Sequence, residues 1–92
     1  MSKTHEIDQM TDRIRKILAD HARLNVDAGA LAEADDLYQA GMTSHASVQV
    51  MLALEDEFDV EFPDAMLKRS VFESIASMAT AIATLTTEEA AA

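Results

Sequence analysis

The stretch "DDLYQAGMTSHASVQVMLALEDEFDVEFPD", residues 35–64, decides how this chain folds. It contains a glycine, then Ser44, then an apolar run that ends in acidic residues and a phenylalanine. Such a run after a serine predicts a helix, which we place from about Ser44 to Phe58. Ser44 therefore lies where a helix begins. It could be a helix cap, a catalytic nucleophile or the attachment point of another chemical group.

This helix is expected to lie at the centre of the fold, because apolar residues cover more than half of its circumference. These residues are Val48, Val50, Met51, Leu52, Leu54 and Phe58. Its opposite stripe carries His45, Gln49 and Asp56. For the interior of the domain we expect Ile14, Leu18, Val48, Leu52, Phe58, Ile75 and Ile82.

The chain before Ser44 divides into a helix and a long loop. Apolar residues recur at helical spacing from about Glu6 to Arg23, which predicts an amphipathic helix. They are Ile7, Met10, Ile14, Ile17, Leu18 and Leu24. Residues 25–43 then predict a loop with one helical turn near residues 30–34. Loops of this length tend to be functional or mobile.

The chain after Phe58 predicts a short helical turn and a last helix. Pro63 opens the turn in "PDAMLK". Ser70 and Glu73 have capping-box spacing and predict the start of the last helix, with Phe72, Ile75, Ala79 and Ile82 on its buried face. We expect residues 86–92 to fray. The fold is thus an all-α, antiparallel four-helix bundle with three main helices, one short helix and a long first loop. It forms a single domain over residues 1–92, with its core at about 6–85.

Composition narrows the function classes. The 92-residue chain has no cysteine, which excludes disulfides and thiolate metal sites. No apolar run is long enough to span a membrane, so we expect a cytoplasmic protein. The net charge is −10, and residues 25–64 hold ten acids but no lysine or arginine. Such a surface repels nucleic acid and anionic membranes and attracts basic protein surfaces. Nothing in the sequence indicates an oligomer, and we expect a monomer.

The inventory of reactive groups argues against catalysis and against a metal site. The only histidines are His5, His21 and His45, and adjacent residues such as Ser44 and His45 point in different directions on a helix. The string "GMTSH" lacks the nucleophile-elbow pattern. The acidic string "EDEFDVEFPD" lacks the calcium-loop pattern. We therefore expect a non-catalytic chain without a bound metal.

The position of Ser44 alone favours a helix cap, a role for which Thr43 and Ser47 compete. A helix start also stabilises an attached phosphate through its free N–H groups and partial positive charge. A serine on a glycine-containing loop flanked by acids suits covalent modification by a basic partner enzyme. That enzyme would supply the base and the metal.

The motif around Ser44 resembles the modification region of acyl carrier and peptidyl carrier proteins. The resemblance rests on "DDLYQAG", on Ser44 followed by "VQVMLALEDEF", and on "DVEFPD", and it covers roughly residues 36–82. It implies that Ser44 carries a phosphopantetheine arm, transferred from coenzyme A by a separate phosphopantetheinyl transferase. The thiol of the arm would hold an activated acyl or aminoacyl group as a thioester. A downstream acceptor enzyme would then receive that group.

The chain departs from the commoner members of this family beside Ser44. Thr43 and His45 replace an aspartate and a leucine, and Ala46 and Gln49 replace two acids. These departures weaken a role in general fatty acid synthesis. The patterns "DLYxAGxxSxASVQxML" and "FDxEFPD" are more similar to stand-alone aminoacyl carrier proteins, which a separate ligase loads.

Two alternatives to the aminoacyl reading stay open. One is an acyl carrier for fatty acid or polyketide-type synthesis. The other is an acidic helical adaptor in which Ser44 only caps the helix. For docking of partner enzymes we expect a weakly charged surface at Met42, Thr43, His45 and Gln49, beside the acids Asp35, Asp36 and Asp56.

Overall fold

The computed structural model describes the backbone of residues 2–91 and the side chains of residues 9–86. Its helices are α1 (Ser2–His21), α2 (Ser44–Phe58), α3 (Arg69–Phe72) and α4 (Ile75–Ala91), with 3₁₀ turns at Ala28–Ala30 and Asp64–Met66. Residues 2–91 contain no strand. The predicted all-α layout of three main helices, a short one and a long first loop is confirmed. α1 packs against α2 and α4, and α3 packs against α4.

The core lies between the three long helices. α1 contributes Ile14 and Leu18, which are fully buried as predicted. Ile75 and Ile82 of α4 are also fully buried as predicted, and Met78 joins them. Ile7 lies outside the described side chains. Burial of these branched and long apolar side chains is the main favourable contribution to folding.

The prediction that Val48 and Leu52 are core residues is wrong. Their side chains are 48% and 50% exposed, whereas Val50 and Leu54 are fully buried. Ala46, Val50 and Leu54 follow each other at intervals of four residues, so they form one stripe of α2, and this stripe lies in the core against which α1 packs. Val48 and Leu52 share the same spacing on a different stripe. Phe58 is half-buried, and the Arg13 guanidinium lies 4.3 Å from its ring centroid.

The predicted start of the last helix at Ser70 is also wrong. α3 begins after Lys68 without a side-chain cap, and it ends at Phe72 before α4 begins at Ile75. The capping interaction forms instead between Ser74 and Ser77. The Ser74 hydroxyl accepts from the Ser77 amide at 3.0 Å, and the Ser77 hydroxyl accepts from the Ser74 amide at 3.2 Å. Two serines thus perform the reciprocal capping that we expected from Ser70 and Glu73.

The long first loop is fixed to the helices by hydrogen bonds. Arg15 of α1 donates to the carbonyls of Ala28 and Leu31 at 2.9 and 2.7 Å. The Leu37 amide donates to the Glu73 carbonyl at 2.7 Å, and Leu37 itself is fully buried. The helical turn expected at residues 30–34 lies slightly earlier, at Ala28–Ala30. The break between α3 and α4 therefore provides a carbonyl that anchors the loop.

The limits of the first and last helices differ somewhat from those expected. α1 begins at Ser2 and ends at His21, somewhat before the expected limits of Glu6 and Arg23. The backbone of α4 continues to Ala91. The fraying expected for residues 86–92 would be a loss of helical backbone structure at this end, and it stays a prediction.

Candidate functional site

Ser44 is the first residue of α2, and its neighbour performs the capping role. The Thr43 side chain accepts a hydrogen bond from the Ala46 amide at 3.0 Å, which makes Thr43 the N-cap of α2. The carbonyl of Ser44 accepts from the Ser47 hydroxyl at 2.7 Å. The Ser44 hydroxyl is exposed and forms no hydrogen bond with the described side chains or backbone. It is therefore available for chemistry rather than committed to the helix.

The segment just before Ser44 is held rigidly. Gly41 has φ +112°, a conformation that side-chain-bearing residues rarely adopt. A Cβ placed on it would come within 2.7 Å of the Asn25 side-chain nitrogen, so this close approach favours glycine in addition to the positive φ. Met42 follows with only 3% of its surface exposed, and its amide donates to the Leu37 carbonyl at 3.0 Å. These contacts fix the position at which Ser44 emerges from the core.

A groove of about 350 Å³ opens directly beside Ser44. α2 contributes Ser47, Val48 and Met51 to it, and the segment before and within α3 contributes Leu67, Lys68, Arg69 and Phe72. Tyr38 of the first loop closes one wall, with the Arg69 guanidinium 3.9 Å from its ring centroid. The groove thus combines an apolar lining with two cationic side chains.

A second groove lies on the other side of the start of α2. Asp20, His21 and Arg23 at the end of α1 line it together with His45 and Gln49 of α2, and Ala46 lies at its base. His45 and Gln49 are exposed, as their predicted docking role requires, while Ala46 is 3% exposed. The first two turns of α2 therefore present neutral or basic groups next to Ser44.

The predicted docking acids lie in two different settings. Asp35 and Asp36 are exposed, but their carboxylates hold the loop: Asp35 accepts from the Ala32 amide at 2.9 Å, and Asp36 accepts from the Tyr38 amide at 2.9 Å. Asp56 lies three turns beyond Ser44, in the cleft between α1 and α2. Met42, which was also predicted to take part in docking, is buried, with 3% of its surface exposed.

No metal site or membrane span is found in the described part of the chain. No three histidine, aspartate or glutamate side chains among residues 9–86 converge as metal ligands would. None of the described helices has the length and apolar character needed to cross a bilayer. What the geometry defines is a small helical domain that presents one unengaged serine hydroxyl at the start of its central helix.

The comparison with protein families agrees with that description. The sequence model of the family described as "Phosphopantetheine attachment site" matches residues 12–82, which is more than half of the chain. The chain therefore belongs to this family of carrier proteins, whose cofactor is a covalently attached phosphopantetheine. Members of the family carry groups for other enzymes and are themselves non-catalytic.

Comparison with individual relatives distinguishes between aminoacyl and acyl carrier proteins. The chain is 48% identical over 66 residues to the aminoacyl carrier protein of Agrobacterium fabrum (strain C58 / ATCC 33970), covering 72% of this chain and 80% of that protein. It is 39% identical over 62 residues to the acyl carrier protein of Sinorhizobium fredii (strain NBRC 101917 / NGR234), covering 63% and 73%. The chain is thus homologous to an aminoacyl carrier protein, and its similarity to this acyl carrier protein is lower.

A solved structure gives the same result for the fold. It is the crystal structure of an engineered Bradyrhizobium japonicum glycine:[carrier protein] ligase complexed with carrier protein from Agrobacterium tumefaciens and AMP. The match has a TM-score of 0.78 and 42% identity, and it covers 79% of this chain and 97% of the matched chain. The fold predicted from the sequence is confirmed by this comparison.

The sequence interpretation missed the groove residues Tyr38, Leu67, Lys68 and Arg69. The sequence did contain a signal for Lys68 and Arg69. They are the only lysine or arginine residues that follow Arg23. A pair of cations in an otherwise acidic or neutral stretch indicates a local requirement for positive charge. Their position beside Ser44 depends on long-range packing, which the sequence pattern does not show.

Proposed function

We propose that Ser44 is the residue that carries the phosphopantetheine arm. The observation that supports this most directly is the division of labour at the start of α2. Thr43 caps the helix, and the Ser44 hydroxyl is left exposed and without a hydrogen-bond partner among the described residues. This geometry counts against the adaptor alternative, in which Ser44 would be only a cap. When attached, the arm supplies a flexible thiol that can hold a carboxylic acid as a thioester.

The attachment is a phosphoryl transfer catalysed by a separate phosphopantetheinyl transferase. The Ser44 oxygen would attack the phosphorus of coenzyme A that bears the pantetheine. A new phosphorus–oxygen bond forms, the pyrophosphate bond breaks, and adenosine bisphosphate leaves. The serine proton passes to a base of the transferase, because no described side chain of this protein donates to or accepts from the Ser44 hydroxyl. This chain contributes the fixed position of Ser44 and the exposure of its hydroxyl to the transferase.

We infer that the cargo is an amino acid, loaded by a separate ATP-dependent ligase. Support comes from the relative that is an aminoacyl carrier protein and from the carrier that is bound to a glycine:[carrier protein] ligase. The departures beside Ser44 agree with this, because Ala46 is a core residue and Gln49 is uncharged. We place the function in the cytoplasm, where coenzyme A and ATP are available.

The surface that meets the ligase is proposed to be the exposed stripe of α2 around His45, Gln49, Val48 and Leu52. This stripe carries no formal charge before Glu55. It therefore offers apolar and hydrogen-bonding contacts rather than the ion pairs that an acidic first turn would provide. Asp35 and Asp36 lie in the first loop, outside this stripe, and Asp56 lies at the far end of the stripe, about three turns from Ser44.

The loading reaction tests the cargo assignment. The phosphopantetheinylated protein is incubated with ATP, a glycine:[carrier protein] ligase and each of several amino acids, and in parallel with a fatty acyl ligase and a fatty acid. We expect a base-labile mass increase from an amino acid and none from the fatty acid. Loading by the fatty acyl ligase alone would overturn the aminoacyl assignment and favour the fatty acid alternative.

A further inference from the structure

The groove beside Ser44 has a composition that the carrier role alone does not require. Ser44 lies at one end, and the floor and walls include the apolar side chains of Val48, Met51, Leu67 and Phe72. Val48 and Leu67 are 48% and 46% exposed, so two large apolar side chains that line the groove remain about half exposed to solvent. Its volume of about 350 Å³ lies within the range of small-molecule sites, roughly 300–1,000 Å³.

Two cations line the groove without a carboxylate partner. Lys68 and Arg69 are exposed, and neither forms an ion pair with a side chain in the described range 9–86. The Arg69 guanidinium stacks on Tyr38 at 3.9 Å, a contact that fixes its position while its N–H groups stay free to donate. The Tyr38 amide is in turn held by the Asp36 carboxylate at 2.9 Å.

This arrangement is unusual for the molecule as a whole. The chain has a net charge of −10, yet both cations that follow Arg23 line the groove at Ser44. By contrast, Arg13 is engaged by Glu57 at 2.7 Å, and Arg15 donates to two loop carbonyls. Lys68 and Arg69 thus have no carboxylate partner among the described residues, and they lie beside the serine to which an anion is expected to be attached.

We propose that this groove is a docking site for the phosphopantetheine arm itself, with Lys68 and Arg69 holding its phosphate. The inference rests on the proposed attachment at Ser44. The phosphodiester is anionic and begins at the Ser44 oxygen, so it lies within the groove that the two cations line. The branched dimethyl part of the arm is apolar and suits the surface of Val48, Met51 and Leu67. The docked arm rests along α2 between encounters with partner enzymes.

Nuclear magnetic resonance of the apo and phosphopantetheinylated proteins tests this docking. Modification should shift the backbone amide signals of Leu67, Arg69 and Phe72, which are far from Ser44 along the chain. In Lys68→Gln/Arg69→Gln these remote shifts should become at least two-fold smaller. Added salt should reduce them in the unmutated protein, because exposed ionic contacts are screened.

Lys16→Gln/Arg23→Gln is the matched control for charge, because it also removes one lysine and one arginine. Lys16 and Arg23 are exposed cations outside the groove, so their removal should leave the remote shifts unchanged. A second variant, Val48→Thr, keeps the shape of the side chain but adds a hydroxyl, and it should weaken docking without affecting the charge. Thermal unfolding of each variant verifies that the fold is intact.

The outcomes separate this proposal from the proposed function. If the protein gains no phosphopantetheine, both are overturned. If it is modified but the shifts stay confined to residues near Ser44, only the groove assignment is overturned. Remote shifts that persist equally in Lys68→Gln/Arg69→Gln and in Lys16→Gln/Arg23→Gln would also overturn it.

Discussion

Two faces of α2 carry similar apolar residues but have different roles. The inner face has Ala46, Val50 and Leu54, which are 0–3% exposed and pack into the core. The outer face has Val48 and Leu52, whose side chains are about half exposed to solvent. They lie one and two turns after Ser44 in α2. Valine and leucine are therefore structural on one stripe and available for contact on the other. The difference follows from the position of neighbouring helices rather than from residue type.

The largest effect expected from this comparison is on stability. Leu54→Ala should lower the free energy of unfolding by about 2–5 kcal/mol, because it removes a fully buried side chain and leaves a cavity. Leu52→Ala, the same chemical change on the outer face, should cost roughly 0.5 kcal/mol or less. Urea denaturation of both variants measures this. Equal losses would show that the two faces are not distinct.

A smaller difference is expected between two adjacent residues at the start of α2. Thr43→Ala removes the N-cap hydrogen bond to Ala46 and should destabilise the protein by about 0.5–2 kcal/mol. Ser44→Ala removes a hydroxyl with no described partner and should change the stability by roughly 0.5 kcal/mol at most. Thermal unfolding compares them. A larger cost for Ser44→Ala would indicate that Ser44 is the structural residue.

The outer face is also expected to affect loading. Leu52→Ser should raise the KM for the carrier in the ligase reaction several-fold, because apolar contact area is lost while the fold is kept. Val26→Ser is the control, since Val26 is an apolar residue of the first loop that is similarly exposed, at 49%, and lies outside α2. An unchanged KM for Leu52→Ser would exclude this face from the docking surface.

The smallest expected effect is that of salt. Because the stripe from Ser44 to Leu54 carries no formal charge, loading should change by less than about two-fold between 50 and 200 mM salt. Initial rates of aminoacylation at limiting carrier concentration measure this. A steep decline with salt would assign docking to the surrounding acids, such as Asp35 and Asp36.

The limits of α2 could be predicted from the sequence, but its orientation could not. The serine start and the acidic end of the apolar run are local signals, and the structure places α2 at Ser44–Phe58 as predicted. Because apolar residues cover more than half of the circumference of α2, the sequence alone does not determine which stripe is buried. Packing against α1 and the rest of the core selects Val50 and Leu54, and that information is spread over the whole chain.

The break between α3 and α4 is a second feature that could not be predicted from the sequence. Ser70 and Glu73 have the spacing of a capping box, yet Ser74 and Ser77 form it. The choice is linked to a distant loop, because the Leu37 amide donates to the Glu73 carbonyl and the Ala76 amide donates to the Glu33 carbonyl, at 2.7 and 2.9 Å. Local spacing does not contain these pairings. The groove at Lys68 and Arg69 depends on the same break.

The intact mass of the protein after treatment with coenzyme A, magnesium and a broad-specificity phosphopantetheinyl transferase tests the central claim most directly. The unmutated protein and Thr43→Ala should each gain one phosphopantetheine, and Ser44→Ala should gain none. Modification of Ser44→Ala to the same extent would contradict the assignment of Ser44 as the attachment site.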